Sequence, residues 1–205
     1  MFFYGGLKQS VLCWTYPKNK GGTPMAERTV YILLTRSGTC FSRIIHMVTG
    51  DAYTHASISL EGPLGPFYSF GRKYPRLALP AGLVQESVPY SWRFSGEHVP
   101  CCLCALQVSE GAYRRLQRRL AGMYAMRAYY RYSLLGALAC HFDRLFLRRR
   151  YYFCSQFVAT LLQECGAADL PKDPALLRPM DLCGVKGLRV IYRGDLKSVV
   201  ERWAA

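Results

Sequence analysis

An apolar, β-branched run at residues 29–35 constrains the fold more than any other feature of the sequence. It has the composition and the length of a buried strand, and the residues at 36–39 break it. Residues 55–60 and 67–70 have the pattern of two further strands, with a turn rich in glycine and proline at 62–66 between them. A connection of this kind suits a hairpin, so we expect these two strands to pair.

The remainder of the chain alternates between strand patterns and helix patterns. Ser109 suits the N-cap of a helix in which apolar residues recur at helical spacing while arginines fall between them. Gly166 suits the left-handed position that follows a helix C-terminus. We therefore expect helices at 41–48, 110–131, 134–147, 154–165 and 196–203, strands at 102–108 and 188–192, an extended piece at 83–88, and a loop at 71–82.

A chain of 205 residues fits one domain with a short appendage, because globular domains usually run to about 100–200 residues. Hydrophobic residues make up 51% of the chain, which is enough to build a core. A flexible link at 21–24 predicts a flexible N-terminal tail at 1–26 and a folded domain at 27–205. We expect neither a signal peptide nor a membrane span, since no apolar stretch approaches the ~20 residues that a span needs.

The charge of the chain favours anionic partners. It carries 27 lysines and arginines against 13 acidic residues, a net charge of +14. The arginines cluster at 114–119 and 148–150 without an RNA-binding or helix-turn-helix signature around them, so we expect no specific nucleic-acid partner. An anionic membrane surface is the partner that stays open, and a solvated face is the simpler explanation for most of these arginines.

The nine cysteines show no zinc-binding pattern. The nearest approach, Cys101-Cys102-x-Cys104, has the wrong spacing and no second pair downstream. Many thiols without a pattern are typical of a reducing compartment, where cysteine serves as a small buried hydrophobe. We therefore expect a cytoplasmic protein, peripheral at the membrane as the alternative, that holds neither a metal nor a cofactor.

Cys154 and His55 are the candidates for a catalytic pair. The partial positive charge at a helix N-terminus and a nearby imidazole lower the pKa of a thiol and make it a better nucleophile. Cys154 begins the predicted helix at 154–165, and its base must come from elsewhere in the chain, for which His55 at the head of a strand is best placed. The remaining histidines are predicted on a helix, in a loop and in an apolar segment: His46, His98 and His141.

Four segments together resemble a known family: 53–59 (YTHASIS), 67–72 (FYSFGR), 152–159 (YFCSQFVA) and 178–182 (RPMDL). They look like the permuted NlpC-type papain-fold cysteine hydrolases, which are similar in turn to the lecithin retinol acyltransferase group. In that family the histidine strand precedes the cysteine helix, as in this sequence. The resemblance implies an α+β, circularly permuted papain-like fold, whose antiparallel sheet of five or six strands packs on the cysteine helix and the 110–131 helix.

The resemblance also implies roles for individual residues. Cys154 attacks a carbonyl and His55 takes and returns the proton, while the orienting group is Ser69, Glu86 or neither of them. Backbone N–H groups at the start of the cysteine helix hold the oxyanion. The predicted substrate-binding residues are Ser155, Gln156, Tyr53 and Tyr130. Helix capping is the simpler explanation for Ser155 and Gln156, and core packing is the simpler one for Tyr130.

We therefore expect a hydrolase or acyltransferase that acts on an amide, ester or thioester bond through an acyl-enzyme intermediate. Its substrate is a small peptide or a lipid acyl group, and the sequence does not specify an oligomeric state. The alternative is a papain-fold module without activity, which binds an anionic membrane or polymer through its arginines.

Overall fold

The computed structural model describes residues 27–36, 50–74, 80–88 and 98–204. Within them the strands are β1 (Glu27–Thr35), β2 (His55–Ser59), β3 (Phe67–Arg72), β4 (Ala81–Glu86), β5 (Pro100–Ser109), β6 (Arg131–Tyr132), β7 (Tyr151–Tyr152) and β8 (Leu188–Asp195). The α-helices are α1 (Glu110–Ala125), α2 (Leu134–His141), α3 (Cys154–Glu164) and α4 (Leu196–Trp203). Short 3₁₀ helices cover Arg127–Tyr129, Pro174–Leu176 and Pro179–Gly184.

Six of the strands form one sheet in the order β4-β3-β2-β1-β5-β8, with every neighbouring pair antiparallel. The predicted pairing of β2 with β3 is confirmed. β1 lies near the centre of the sheet, and its last residue, Thr35, lies opposite His55. β6 and β7 form a separate parallel ladder in which Tyr132 lies opposite Tyr152. The fold is therefore α+β with an antiparallel sheet, as expected.

Side chains alternate across the sheet, so its strands contribute to two cores. On β1, Val30 and Ile32 belong to the larger core, whereas Leu33 belongs to the smaller one. Helices α1 and α3 pack on the larger core, and α4 packs on the smaller one through Val199. The sheet thus has helices on both faces, and α3 lies on the face of the larger core.

The capping and burial predicted for the helices are confirmed. Ser109 caps α1, since its hydroxyl oxygen accepts a hydrogen bond from the backbone N–H of Ala112 at 3.3 Å. Gly166 follows α3 with a φ of +58°, in the left-handed region. The apolar positions predicted to face the core from α1 are all buried: Tyr113, Leu116, Leu120 and Met123.

Two helix predictions extend too far. α1 ends at Ala125, and a 3₁₀ turn at Arg127–Tyr129 replaces the rest of the predicted 110–131 helix. α2 ends at His141, although a helix was expected over 134–147. The reason is local, because Asp143 has a φ of +51°, which a right-handed helix does not accommodate.

The predicted loop at 71–82 is wrong at both ends, because β3 continues to Arg72 and β4 begins at Ala81. These two residues are register partners, so the hairpin hydrogen bonds extend into a segment rich in glycine and proline. The predicted helix at 41–48 and the predicted tail at 1–26 lie outside the described residues. In the part of the chain that the structure describes, no helix has the length and hydropathy needed to cross a membrane.

Candidate active site

Cys154 is the first residue of α3, so its thiol lies at the positive end of that helix. Phe153 occupies the N-cap position and provides no side-chain acceptor for the first N–H groups. These N–H groups therefore lack the capping oxygen that a serine, threonine or aspartate would supply. Cys154 is 4% exposed, and its sulfur lies 4.0 Å from the backbone oxygen of Thr54, the residue before His55.

His55 begins β2 and links the thiol to a carboxylate. Its Nε2–H donates to Glu86, at 3.0 Å to Oε1 and 3.1 Å to Oε2. The thiol of Cys154 also acts on the imidazole electrostatically, and its sulfur lies beside Thr54, the residue that precedes His55. His55 is thus coupled both to the thiol of Cys154 and to the carboxylate of Glu86. This is the arrangement of nucleophile, base and orienting group that thiol catalysis requires.

The surroundings of His55 act on its protonation in opposite directions. Burial by itself lowers the pKa of the imidazole, but the charge of Glu86 and the hydrogen bonds with Cys154 and Glu86 outweigh it. The pKa of His55 is therefore held well above its usual value of 6.5. Solvent still reaches the pair, because the side chains of His55 and Glu86 are 24% and 25% exposed.

Gly71 on β3 leaves room for the histidine–carboxylate pair. A Cβ at this position would lie 3.3 Å from Oε1 of Glu86 and 3.6 Å from Cε1 of His55. The first distance is shorter than an ordinary van der Waals contact, so a larger residue would displace the carboxylate. Sequence reasoning did not single out Gly71, because its role depends on how β2 and β4 approach it.

Of the two candidates for the orienting residue, Glu86 contacts the imidazole and Ser69 does not. Ser69 is fully buried, and its hydroxyl donates to the backbone oxygen of Ala56 at 2.6 Å. This bond ties β3 to β2 and uses the one proton that the hydroxyl can donate. The expectation that Ser69 orients His55 is therefore wrong, while the geometry agrees with Glu86 in that position.

The two residues after Cys154 do not face an open cleft. Ser155 is 0% exposed and Gln156 is 4% exposed. Oε1 of Gln156 accepts a hydrogen bond from the backbone N–H of Phe153 at 3.4 Å, which is a helix-capping contact. The hydroxyl of Ser155 has no hydrogen-bond partner among the described residues. Gln156 is as buried as Cys154 itself, so burial does not test substrate contact, which stays a prediction for both residues.

Tyr53 and Tyr130, the other predicted substrate-binding residues, are also core residues. The hydroxyl of Tyr53 donates to the backbone oxygen of Cys101 on β5 at 3.4 Å. The ring of Tyr130 packs edge-on against Phe70, with the ring centroids 6.1 Å apart. Their exposed fractions are 6% and 7%, so these predictions are corrected in favour of core packing.

Tyr132 is the tyrosine that borders the candidate site. It lies in β6 and is half-buried, and burial raises the pKa of its hydroxyl well above 10. Charge on Cys154 raises that pKa further. Tyr132 lies opposite Tyr152 in the β6–β7 ladder, which distinguishes it from Tyr130.

Residues 133–150, which we call the apolar excursion, leave the β6–β7 ladder and return to it just before Cys154. The backbone N–H of Ser133 donates to the backbone oxygen of Tyr152 at 2.9 Å, which closes the base of the excursion. Its large apolar side chains are between 37% and 68% exposed: Leu134, Leu135, Leu138, Phe142, Leu145, Phe146 and Leu147. Exposed apolar surface of this extent is typical of an interaction site.

A second group of sulfur atoms lies on the larger-core face of β5. Cys102 and Cys104 of β5 and Cys183 of the 3₁₀ helix Pro179–Gly184 bring their Sγ atoms within 4.8 Å of one another. Spacing rules missed this group, because Cys183 is far from the other two along the chain. It becomes their neighbour only through the packing of the 3₁₀ helix beside β8, the strand next to β5.

No family model, no curated protein and no solved structure matches the chain. A thiol at a helix N-terminus, in contact with a carboxylate-bound imidazole, is equipped to attack a carbonyl carbon. The uncapped N–H groups of α3 are donors for the oxyanion that such an attack creates.

Proposed function

We propose that the protein is a thiol-dependent hydrolase or acyltransferase that cleaves an amide, ester or thioester bond through an acyl-enzyme intermediate on Cys154. The observation that carries the proposal is the position of His55, which hydrogen-bonds to Glu86 and follows Thr54, whose backbone oxygen lies 4.0 Å from the sulfur of Cys154. Cys154 and His55 lie in two of the segments that resemble the permuted papain-fold hydrolases. The fold that we propose is accordingly the circularly permuted papain-like (NlpC-type) fold, with α3 as its cysteine helix.

The reaction begins at the N-terminus of α3. The sulfur of Cys154 attacks the substrate carbonyl as a thiolate, and the first N–H groups of α3 stabilise the oxyanion. The imidazolium of His55 gives its proton to the leaving group, so that the acyl group stays on sulfur as a thioester. His55 then takes a proton from water or another acceptor, which attacks the thioester and frees Cys154. Glu86 holds the ring and stabilises its charged form.

The apolar excursion favours a lipid acyl substrate at an anionic membrane surface over a soluble peptide. Its leucines and phenylalanines provide apolar surface of the kind that inserts at the level of lipid headgroups. Within 133–150, four arginines stand against one acidic residue, Asp143, so the charge is complementary to anionic headgroups. The excursion rejoins the ladder at Tyr152, which brings the proposed membrane surface close to Cys154.

A cytoplasmic location, peripheral at the membrane, goes with this proposal. The cysteines of the described residues carry free thiols, as is usual in a reducing compartment: Cys101, Cys102, Cys104, Cys140, Cys154, Cys165 and Cys183. Anionic lipid headgroups are available on the cytoplasmic leaflet, and they would attract the arginines of the excursion.

A panel of acyl and peptidyl electrophiles tests the proposed chemistry. We expect one adduct per chain, located on Cys154 by mass spectrometry, with long-chain acyl probes reacting faster than peptidyl probes. Cys154→Ala abolishes the adduct, whereas Cys165→Ala, which removes a buried thiol at the other end of α3, preserves it. Adducts spread over several cysteines, or an undiminished adduct in Cys154→Ala, would contradict the proposal.

A membrane-binding module without activity is the second candidate, and the exposed excursion is the observation that favours it. Sedimentation with vesicles of phosphatidylglycerol and phosphatidylcholine tests the membrane surface itself. Leu135→Asp is expected to weaken binding about tenfold, and Val190→Asp, at an exposed apolar residue outside the excursion, leaves it unchanged. Binding to vesicles without any adduct on Cys154 would favour this candidate over the enzyme.

A further inference from the structure

Three thiols from two elements converge at the larger-core face of β5. Cys102 and Cys104 are two positions apart on the strand, so their side chains lie on the same face. Both are fully buried, whereas Cys183 is half-buried. The site is therefore closed by the sheet and reached from the side of Cys183, which gives an ion a route from solvent.

The distances suit a tetrahedral ion with thiolate ligands. A zinc–sulfur bond of ~2.3 Å places the sulfurs of a tetrahedral site ~3.8 Å apart. The Sγ atoms of Cys102 and Cys104 are 3.7 Å apart, and all three lie within 4.8 Å of one another. Only a small movement of Cys183 is needed to bring three sulfurs to bonding distance of one ion, with the fourth position left for water.

Charge balance favours a divalent ion. Three thiolates around Zn²⁺ carry a net charge of −1, and Arg193 of β8 is the register partner of Cys102 on the neighbouring strand. A guanidinium at this position offsets that charge. A monovalent soft ion would leave a charge of −2 against one arginine, which is costly for a site with two fully buried ligands.

We infer that Cys102, Cys104 and Cys183 bind one zinc ion, which ties the 3₁₀ helix Pro179–Gly184 to β5. Binding releases a proton from each thiol that enters as a thiolate. The role is structural and separate from the chemistry at Cys154. It fixes the segment that follows α3 to the sheet, so removal of the ion loosens this attachment.

Zinc content of the full-length protein tests the inference. Protein produced with zinc in the medium and then desalted is expected to contain one zinc per chain by elemental analysis. Cys183→Ser lowers this at least tenfold, because it removes the ligand nearest to solvent. Cys140→Ser and Cys165→Ser, which alter buried free thiols outside the cluster, and Cys154→Ala retain the ion. A chelator is expected to lower the melting temperature of the wild-type protein.

Protection from alkylation gives a second measurement that does not depend on the folding of a variant. In the zinc-loaded wild-type protein, Cys102, Cys104 and Cys183 are expected to resist iodoacetamide and to react after chelation. The inference would be overturned if the protein contained no zinc as produced and still bound none after incubation with Zn²⁺. Zinc retained in folded Cys183→Ser, or a disulfide that links Cys183 to either cysteine of β5, would also overturn it. None of these outcomes bears on the adduct at Cys154.

Discussion

The two ends of α3 each carry a buried cysteine, and only one has the surroundings of a nucleophile. Cys154 at the N-terminus and Cys165 just past the C-terminus are 4% and 3% exposed. Cys154 lies at the positive end of the helix, and its sulfur is 4.0 Å from the backbone oxygen of Thr54, the residue before His55. At the other end, burial raises the pKa of Cys165, the charge of Glu164 raises it further, and Arg115 donates to its backbone oxygen rather than to its sulfur.

This comparison shows that burial and residue type do not separate a structural thiol from a reactive one. Both cysteines lie on the same element and are equally hidden from solvent. The difference comes from the direction of the helix and from the partner that the sheet brings to each end. The proposed activity therefore depends on contacts with β2 and β4, and each variant below removes one of them.

His55→Ala removes the partner of the N-terminal thiol and is expected to have the largest effect. The rate of Cys154 alkylation at pH 6 falls by a factor of about 10² to 10⁴, because the imidazolium no longer stabilises the thiolate. Cys165 reacts at its former rate. His98→Ala is the matched control, since His98 pairs with Asp195 and contributes nothing to α3 in this account. If the rate of Cys154 alkylation fell equally in His55→Ala and His98→Ala, the proposed difference between the two ends of α3 would be contradicted.

Glu86→Gln retains the shape of the orienting side chain and removes its charge. The pKa of His55 then falls, and the rate of Cys154 alkylation at pH 6 is expected to drop about tenfold, which corresponds to a shift of one pKa unit. Glu110→Gln serves as the control. Glu110 begins α1, forms ion pairs with Arg28 and Arg114, and is distant from Cys154 in sequence. An unchanged rate in Glu86→Gln would show that the carboxylate does not act on the pair.

The pair formed by His55 and Glu86 also predicts how the free energy of unfolding depends on pH. The folded state raises the pKa of His55 above 6.5, so the protonated pair contributes stability below pH 6.5 that is lost as pH rises through the raised pKa. The free energy of unfolding of the wild-type protein should exceed that of Glu86→Gln at pH 6, and the difference should shrink toward pH 10. Urea unfolding at several pH values measures it. A difference that grows with pH would contradict the assigned direction.

Gly71→Ala crowds the histidine–carboxylate pair and is expected to have the smallest effect. The new methyl group would lie 3.3 Å from Oε1 of Glu86, so the carboxylate must move by a few tenths of an ångström. We expect the rate of Cys154 alkylation to fall about threefold, since small displacements of a catalytic group reduce reactivity. Gly62→Ala, where a Cβ meets nothing within 4 Å, controls for the loss of a glycine.

Much of the fold could be predicted because local patterns and the final packing agree. The apolar run of β1 predicted a buried strand, and the spacing of Leu116 and Leu120 predicted the buried face of α1. Helix ends were harder to predict from the sequence. The turn at Asp143 depends on a backbone conformation that no residue pattern in the segment indicates. The same limit applies to β3 and β4, whose hairpin extends through residues that favour loops.

The candidate site could be predicted only at residues whose position in a predicted helix or strand indicated reactivity. Cys154 and His55 stood at the ends of recognisable elements, and the structure brings them into contact. The sequence left Ser69 and Glu86 both open as the orienting residue, because the contact of Glu86 with His55 is set by how the end of β4 approaches β2. Gly71, Tyr132 and the cluster with Cys183 depend on neighbours distant in sequence, so no local pattern identifies them.

The most direct test of the account measures both cysteines of α3 in one sample of the wild-type protein. Limited iodoacetamide at pH 6, followed by quantitative mass spectrometry, gives the relative alkylation rates of Cys154 and Cys165. The account predicts that Cys154 reacts at least a hundredfold faster, because it alone contacts an imidazolium at a helix N-terminus. Equal and slow labelling of the two thiols would contradict it.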